Sequence, residues 1–351
     1  MLKDHDQRAT MEVSVSNPPD PLCDDFVRGM ASAKLCHMPA WTNMVEKTFG
    51  HKGYYLVARE GRAICGVLPL THVRSRLFGN RMISQAFSNY GGPLAKGPAA
   101  LEALCKCAVE LATEHGCESI ELRNTDPIPY DLHLRTDKIS MYLPLTADPE
   151  ELWQSFRPQI RNRVRKAEKS GIVAVSGGLE LLDDFYRVWT ARMHQLGTPC
   201  YPRKLFSSIM EAFPDNSRVF LVRLNNMTVG AIFAYSFKGL VQVPWGAVLV
   251  EYNRLAPTSL LWWSVVKHFC LTGASCFDFG RTTVDSEPHK FKRRWGAQPI
   301  QLYYQYWTRP GQELSLAKPD NPKYKNKVEM WKKLPLWVTR LVGPHISRNL
   351  P

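Results

Sequence analysis

One series of elements occurs twice in this chain, and it limits the fold more than any single motif does. Tyr54-Tyr55-Leu56-Val57-Ala58 reads as a strand, Glu60-Gly61-Arg62 as a hairpin turn, and Ala63-Ile64-Cys65-Gly66-Val67-Leu68-Pro69-Leu70 as the returning strand. The same grammar returns in Val219-Phe220-Leu221-Val222-Arg223, the polar turn Leu224-Asn225-Asn226, and Val229-Gly230-Ala231-Ile232-Phe233-Ala234. Each hairpin is followed by an aromatic-glycine strand, Tyr90-Gly91-Gly92 in one case and Trp245-Gly246-Ala247 in the other. An amphipathic helix comes next, over 101–115 and 260–272, closed by Gly116 and Gly273. Glycine suits that place because the left-handed conformation of a helix C-cap costs it nothing. A strand completes each series, Ser119-Ile120-Glu121-Leu122-Arg123 and Cys276-Phe277-Asp278-Phe279-Gly280-Arg281. So long an ordered match points to an internal duplication: an α/β (α+β) chain of two related halves, each a mixed sheet flanked by helices.

A length of 351 residues agrees with two domains of roughly 100–200 residues each. The polar stretch ending in Asn17-Pro18-Pro19-Asp20-Pro21 marks 1–23 as a mobile leader, and the first half then runs over 24–147. The second half, 148–311, opens at Asp148-Pro149-Glu150-Glu151-Leu152-Trp153, which places acidic residues at the positive end of a helix. Residues 312–351 read as a basic linker leading into a final amphipathic helix over 334–342.

The start of the chain lacks the apolar centre of a signal peptide. The apolar runs fall short of the ~20 residues that span a bilayer. The nine cysteines include no CxxC pair and no zinc-type spacing. A reduced, cytoplasmic protein without a metal is the expectation. A net charge of +13 favours polyanionic partners: a nucleotide cofactor, nucleic acid or an acidic membrane surface.

The charge is concentrated in particular places. Arg157, Arg161 and Arg165 recur every fourth residue and form a cationic stripe on a helix, with Arg163, Lys166 and Lys169 around it and Ile160, Val164 and Ala167 as the apolar face. A phosphate-binding face and a solvated basic face partly balanced by Glu168 both satisfy this pattern. Asp278 and Arg281 stand where a buried strand leaves the sheet, the position at which ligands gather in open α/β sheets, although mutual pairing would also explain them. Phe291 and Trp295 sit four apart and anchor one helix face, which turns Lys292 elsewhere, into a cleft or into solvent. Asp278 is the first candidate base, weakened by its neighbouring arginine, and His289 is the alternative. Trp245 and Tyr252 are candidates for an acceptor pocket or for core. In the last helix Trp331, Leu334, Leu336, Trp337, Leu341 and Val342 lie among Lys332, Lys333 and Arg340, a composition suited to an anionic membrane surface or to docking on its own domain.

Taken in order, Tyr54-Tyr55-Leu56, Gly66-Val67-Leu68-Pro69-Leu70, Tyr90-Gly91-Gly92, Ile160-Arg161-Asn162 with Arg165-Lys166-Ala167-Glu168, Leu196-Gly197-Thr198-Pro199, Glu251-Tyr252-Asn253, Phe277-Asp278-Phe279-Gly280-Arg281 and Phe291-Lys292-Arg293-Arg294-Trp295-Gly296 make the chain resemble a known family. It is similar over most of 35–310 to the Fem-like proteins of the GNAT-like superfamily, nearest to the FemAB-related branch associated with exosortase and exopolysaccharide systems, with its BioF2-like acetyltransferase domain. The resemblance implies tandem GNAT-like domains and transfer of an acyl or aminoacyl group, from acyl-CoA or aminoacyl-tRNA, to an amine or hydroxyl acceptor such as an envelope glycan. It also implies a reaction-centre role for Lys292, the match of the motif lysine in bridge-forming members. With Lys292, Asp278 and Arg281 make up the expected catalytic set, and Arg161, Arg165, Lys166, Trp245, Tyr252, Asn253 and Thr258 the expected contacts of donor or acceptor.

Two departures stand out. The turn Arg254-Leu255-Ala256-Pro257-Thr258-Ser259, where GNAT enzymes carry a glycine-rich pyrophosphate loop, has no glycine, although Thr258 is able to cap the helix that follows. No heptad-patterned insertion matches the coiled-coil arm of some bridge-forming members. A noncatalytic protein that kept the fold, and a basic nucleic-acid binder, are the competing classes; peripheral contact with the inner membrane and tRNA as donor are the corresponding partner expectations.

Overall fold

The computed structural model describes residues 11–16, 20–75, 79–314 and 322–350. The chain divides into two units, Met1–Arg135 with Tyr303–Leu314, and Thr136–Leu302 with Ser315–Pro351.

The first unit is built from β1 (Met11–Ser16), α1 (Leu22–Gly29), α2 (Pro39–Phe49), β2 (Lys52–Glu60), β3 (Ala63–Ser75), β4 (Gly79–Ile83), β5 (Leu94–Ala95), α3 (Pro98–Glu114), β6 (Ser119–Asn124) and β7 (His133–Arg135). Its sheet runs β1-β2-β3-β4-β6, then the late strand Tyr303–Thr308, then β7, with β5 pairing beside β3. The β4–β6 pair is parallel. Leu56, Leu68 and Leu70 of the expected hairpin meet Leu104 and Ala108 of α3 and Ile120 of β6 in a buried core, as the alternation of apolar residues requires. Two expectations are corrected here. Part of the proposed leader is a strand, because β1 pairs antiparallel with β2 from Met11↔Glu60 to Ser16↔Tyr55; residues 1–10 and 17–19 lie outside the described set. Tyr90-Gly91-Gly92 is a loop rather than a strand, and β4 takes the strand's place. Gly91 has φ +130, and a Cβ at Gly92 would collide with the Asn124 side chain, so these glycines serve a close backbone approach.

The second unit contains β8 (Ile139–Pro144), α4 (Pro149–Ser155), α5 (Pro158–Lys169), β9 (Ile172–Gly177), α6 (Leu182–Leu196), α7 (Arg203–Ala212), β10 (Ser217–Leu224), β11 (Met227–Phe237), β12 (Leu240–Val248), α8 (Pro257–Leu271), β13 (Cys276–Asp278), α9 (Glu287–Arg294), β14 (Gln298–Gln301), α10 (Pro322–Lys333) and α11 (Leu336–Ser347). Its sheet order is β14-β8-β13-β12-β11-β10-β9. The duplication is therefore visible in the topology: β2, β3, β4, α3 and β6 follow one another as β10, β11, β12, α8 and β13 do, and β12–β13 is parallel like β4–β6. The tandem mixed α/β architecture matches expectation. The dividing point differs, since β8 lies before residue 147 yet pairs with β13 and β14 of the second sheet. The strand Tyr303–Thr308, expected within the second half, pairs with β6 and β7 of the first. Such long-range pairings leave no local signature in the sequence. The stretch expected as a basic linker is also partly helical, as α10.

Locally the second unit obeys its sequence. The Asp148 carboxylate caps α4 by accepting from the Glu150 N–H at 2.8 Å, and Pro149 occupies the first turn. Ile160, Val164 and Ala167 are the buried face of α5 and join Leu261, Val265 and Val266 of α8 in the core. The strands bearing the site part company at a defined place. β12 pairs with β13 only as far as Gln242↔Asp278, then continues alone on that side to Val248. Past Asp278 the chain follows β8 instead, through Phe279 N–H to the Met141 carbonyl at 2.9 Å and the mutual bonds of Thr282 and Ile139. The two parallel strands therefore part after Gln242 and Asp278.

Candidate active site

Lys292 lies on α9, which begins at the Ser286 cap, whose hydroxyl accepts from the His289 N–H at 3.3 Å. Phe291 and Trp295 pack into the core as their spacing predicts, which directs Lys292 inward beneath the turn after β13. Its ammonium donates to the Gly280 carbonyl at 2.6 Å and the Arg281 carbonyl at 3.2 Å. Lysine carries three N–H donors, so this anchorage leaves one for an incoming oxygen. Burial lowers its pKa from the ordinary 10.5 to about 8, an effect that the negative charge of Asp278 partly opposes. The group is thus a cation at neutral pH, but a distinctly stronger acid than a surface lysine.

Asp278 is buried at the end of β13, and its Oδ1 accepts from Ser140 Oγ at 2.5 Å and from the Gly280 N–H at 2.8 Å. These bonds make it the brace of the turn that presents the two carbonyls to Lys292. The Oδ1 of the candidate base is thus occupied in holding the turn. His289 is excluded by its own geometry. Its Nδ1 accepts from the Asp285 N–H at 2.9 Å, so the neutral ring carries its proton on Nε2 and has no lone pair left for catalysis. Arg281 is exposed, and it is its backbone carbonyl that reaches Lys292. Ser140, on β8, is the member of this centre that the sequence did not reveal, because only strand pairing brings it to Asp278.

The second feature is an open groove of about 600 Å³ lined by Gln159, Asn162, Arg163 and Lys166 of α5 and by Asn253, Arg254 and Ala256 before α8. The four α5 residues follow i, i+3, i+4, i+7 spacing and form one helix face. Three of the lining groups are cations, the other side chains are amides or a methyl, and none is acidic. Lys166 and Asn253 stand where expected. Arg161 and Arg165 do not: they belong to the neighbouring face and turn back on α4, Arg161 Nη1 donating to Gln154 Oε1 at 2.6 Å and the Arg165 guanidinium lying 5.7 Å from the Trp153 ring centre. Arg163 and Arg254 supply the charge in their place. Ala256, the residue before α8, adopts φ 59 and ψ 36, so the turn takes up a left-handed conformation without glycine. Thr258 does not cap the helix, because the cap position is two residues earlier and holds Ala256. An amide-rich, cationic groove at a helix N-terminus has the chemistry to hold phosphate groups.

Trp245 and Tyr252 are structural. Trp245 is buried against the Phe206 and Phe233 rings at centroid distances of 5.2 and 5.8 Å, and Tyr252 packs on the core edge with its hydroxyl 3.9 Å from Met227 Sδ. Alternation along β12 points Trp245 to the α6–α7 side of the sheet. Lys292 and Asp278 do not line the groove, so the two features are separate places on the second unit.

The first unit has a smaller pocket of about 210 Å³ lined by His37, Tyr90, Gly92, Arg123 and Asn124, among others. Its buried polar groups are engaged within the protein. His37 accepts from the Lys34 N–H at 2.9 Å and donates to the Gly92 carbonyl at 3.0 Å, and burial holds its pKa down to about 4. Arg123 is paired with Glu121 at 2.7 Å. Among the described residues no group of three or more metal-ligating side chains occurs, no helix is long and apolar enough to cross a membrane, and all nine cysteines are free.

Residues 154–293 match the acetyltransferase (GNAT) domain family, the segment that holds both α5 and Lys292. No curated protein matches the chain in sequence. Among solved structures, FemX is similar with a TM-score of 0.64 at 16% identity, covering 84% of this chain and 96% of its own. The L-PGS of Bacillus licheniformis gives 0.56 at 11% identity, with 93% and 98% covered. A tandem GNAT protein from the clavulanic acid biosynthesis pathway gives 0.55 at 14%, with 86% and 98% covered. The fold is accordingly like that of FemX and the tandem GNAT protein, and the segment that matches the GNAT family lies within the second unit.

Proposed function

We propose that the second unit transfers an acyl or aminoacyl group from a phosphate-bearing donor, acyl-CoA or aminoacyl-tRNA, to an amine or hydroxyl acceptor. The observation that carries this reading is Lys292: a buried ammonium, fixed by the Gly280 and Arg281 carbonyls at the end of β13, with its acidity raised by burial. Surface lysines are not held this way, and taking a cation out of water is costly even beside a carboxylate such as Asp278.

The chemistry requires little more. The acceptor nitrogen or oxygen attacks the donor carbonyl, the bond from that carbon to the carrier sulfur or oxygen breaks, and the proton lost by the acceptor ends on the departing carrier. Negative charge develops first on the carbonyl oxygen and then on the leaving atom. An ammonium of pKa about 8 is suited to both, donating a hydrogen bond to the first and relaying a proton to the second. Neither Asp278 nor His289 is needed as a base if the acceptor arrives as a neutral amine. Arg163, Lys166 and Arg254, which line the groove, hold the donor's phosphates.

FemX and L-PGS among the structural neighbours favour an acceptor of the cell envelope, and exopolysaccharide synthesis is the setting drawn from the sequence resemblance. A screen of the purified protein against acetyl-CoA, longer acyl-CoAs and aminoacyl-tRNA, with Lys292→Ala and Lys166→Ala beside it, tests the reading. A donor consumed by the wild type and spared by the Lys292 variant supports transfer. If no donor is bound or consumed by any form, the chain is a scaffold that kept the fold. Tight binding of uncharged RNA with steep salt dependence and no turnover would favour the nucleic-acid reading.

A further inference from the structure

The last helix is built the wrong way round for a globular protein. On α11 the buried positions are Thr339, Gly343 and Ser347, one small residue per turn. They hold the helix to the body by polar and close contacts: Ser347 Oγ donates to the Cys200 carbonyl at 2.9 Å, and Thr339 Oγ1 lies 3.3 Å from His194 Nδ1. Arg340 Nε adds a bond to Thr190 Oγ1 at 2.9 Å. A Cβ at Gly343 would stand 2.9 Å from Cys200 Sγ and 3.0 Å from its backbone nitrogen, so that approach admits no side chain. The large apolar residues face outward. Trp337 is 69% and Leu341 65% exposed, one turn apart on the same face, and Met330 at the end of α10 is 69% exposed. Docking on its own unit therefore does not explain these side chains, because the opposite face already does the docking.

The charge beside them identifies the occupant. Lys327, Lys332 and Lys333 are exposed on α10; Lys332 pairs at 2.8 Å with Glu329, the one acidic residue between 326 and 350, and arginine, lysine and histidine supply every other charge there. We propose that this surface seats the second unit on an anionic phospholipid membrane, with Trp337, Leu341 and Met330 at the acyl boundary and the lysines among the headgroups. Exposed aromatic and aliphatic side chains close in the sequence to exposed lysines are what such an interface selects. A second copy of the chain fits worse, since a twofold contact through this patch would appose the same lysines.

The test uses the full chain in flotation with phosphatidylcholine vesicles, with and without phosphatidylglycerol, and compares Trp337→Ser/Leu341→Ser and Lys327→Glu/Lys333→Glu, each checked for an unchanged thermal melt. The wild type is expected to float with the phosphatidylglycerol vesicles and to be released by salt. The apolar pair should lower vesicle binding by at least about tenfold. Each lysine lost should weaken it about fivefold, the factor that one basic residue near an anionic surface contributes. No flotation of the wild type, or equal flotation of all forms, overturns the proposal. So does a concentration-dependent dimer that the apolar pair abolishes, which would assign the surface to a second copy.

Discussion

Replacing Lys292 with methionine separates the charge of this side chain from its bulk. Burial takes its pKa from 10.5 to about 8, and at 1.36 kcal/mol per pH unit that gap means the charged lysine opposes folding by roughly 3 kcal/mol at neutral pH. Removing the ammonium relieves this cost but deprives the Gly280 and Arg281 carbonyls of a donor, at about 1–3 kcal/mol each if they stay dry. The terms oppose one another, so Lys292→Met should alter stability at pH 7 by no more than about 3 kcal/mol. The pH dependence is more telling. Because the folded pKa is the lower one, the unfolded chain holds the extra proton between about pH 8 and 10.5. Wild-type stability from this group therefore rises as pH rises through that window, and the variant lacks the rise. Urea unfolding of both proteins at pH 7 and pH 10 should show their stability difference moving by roughly 2–3 kcal/mol in favour of the wild type. Parallel profiles would refute the reasoning, because they would mean that the ammonium is hydrated in the folded protein. Transfer should meanwhile fall by about 10²–10³-fold in the variant, the usual loss when an oxyanion donor is removed.

Other consequences are as specific. Wild-type turnover should decline as pH rises through about 8, where Lys292 loses its proton, and a pH–rate profile of kcat checks this. Ser140→Ala removes a donor from the buried Asp278 and should cost about 1–3 kcal/mol in urea unfolding. Ala256→Gly relieves the left-handed backbone before α8 and should raise stability by about 0.5–1 kcal/mol, where an ordinary surface alanine would give a loss. Gly343→Ala sets a methyl against Cys200 and should lower stability by about 1–3 kcal/mol.

Much of the second unit was legible in the sequence. The repeated hairpins, the glycine-closed helices and the anchor pair Phe291 and Trp295 are local patterns, and local patterns fix local structure. What failed depended on distant pairing or on helical phase. β8 and the strand Tyr303–Thr308 belong to sheets that adjacent residues do not announce. The arginine stripe drew attention to Arg161 and Arg165, yet both cover α4, and the face turned to the groove is the polar one through Asn162, Arg163 and Lys166. Its i, i+3, i+4, i+7 spacing was readable; that it faces Arg254 was not, since this needs α5 and α8 to be placed together. The segment at the end of β13 was legible as a strand end, but not that the Asp278 carboxylate accepts from the Gly280 N–H while the Gly280 and Arg281 carbonyls face Lys292. Sequence carries no signal for which backbone oxygens a buried lysine will meet.

Steady-state kinetics with whichever donor the wild type consumes tests the division of labour most directly, with Arg163→Ala/Lys166→Ala beside Lys292→Met. On the proposed reading the groove holds phosphates equally well before and during reaction, so its double variant should raise the donor KM and keep kcat. Lys292 meets charge that forms only during reaction, so its variant should lower kcat and leave KM nearly unchanged. Identical losses in both variants, or a groove variant that alters kcat alone, would contradict the assignment of donor binding to α5 and of the reacting carbonyl to Lys292.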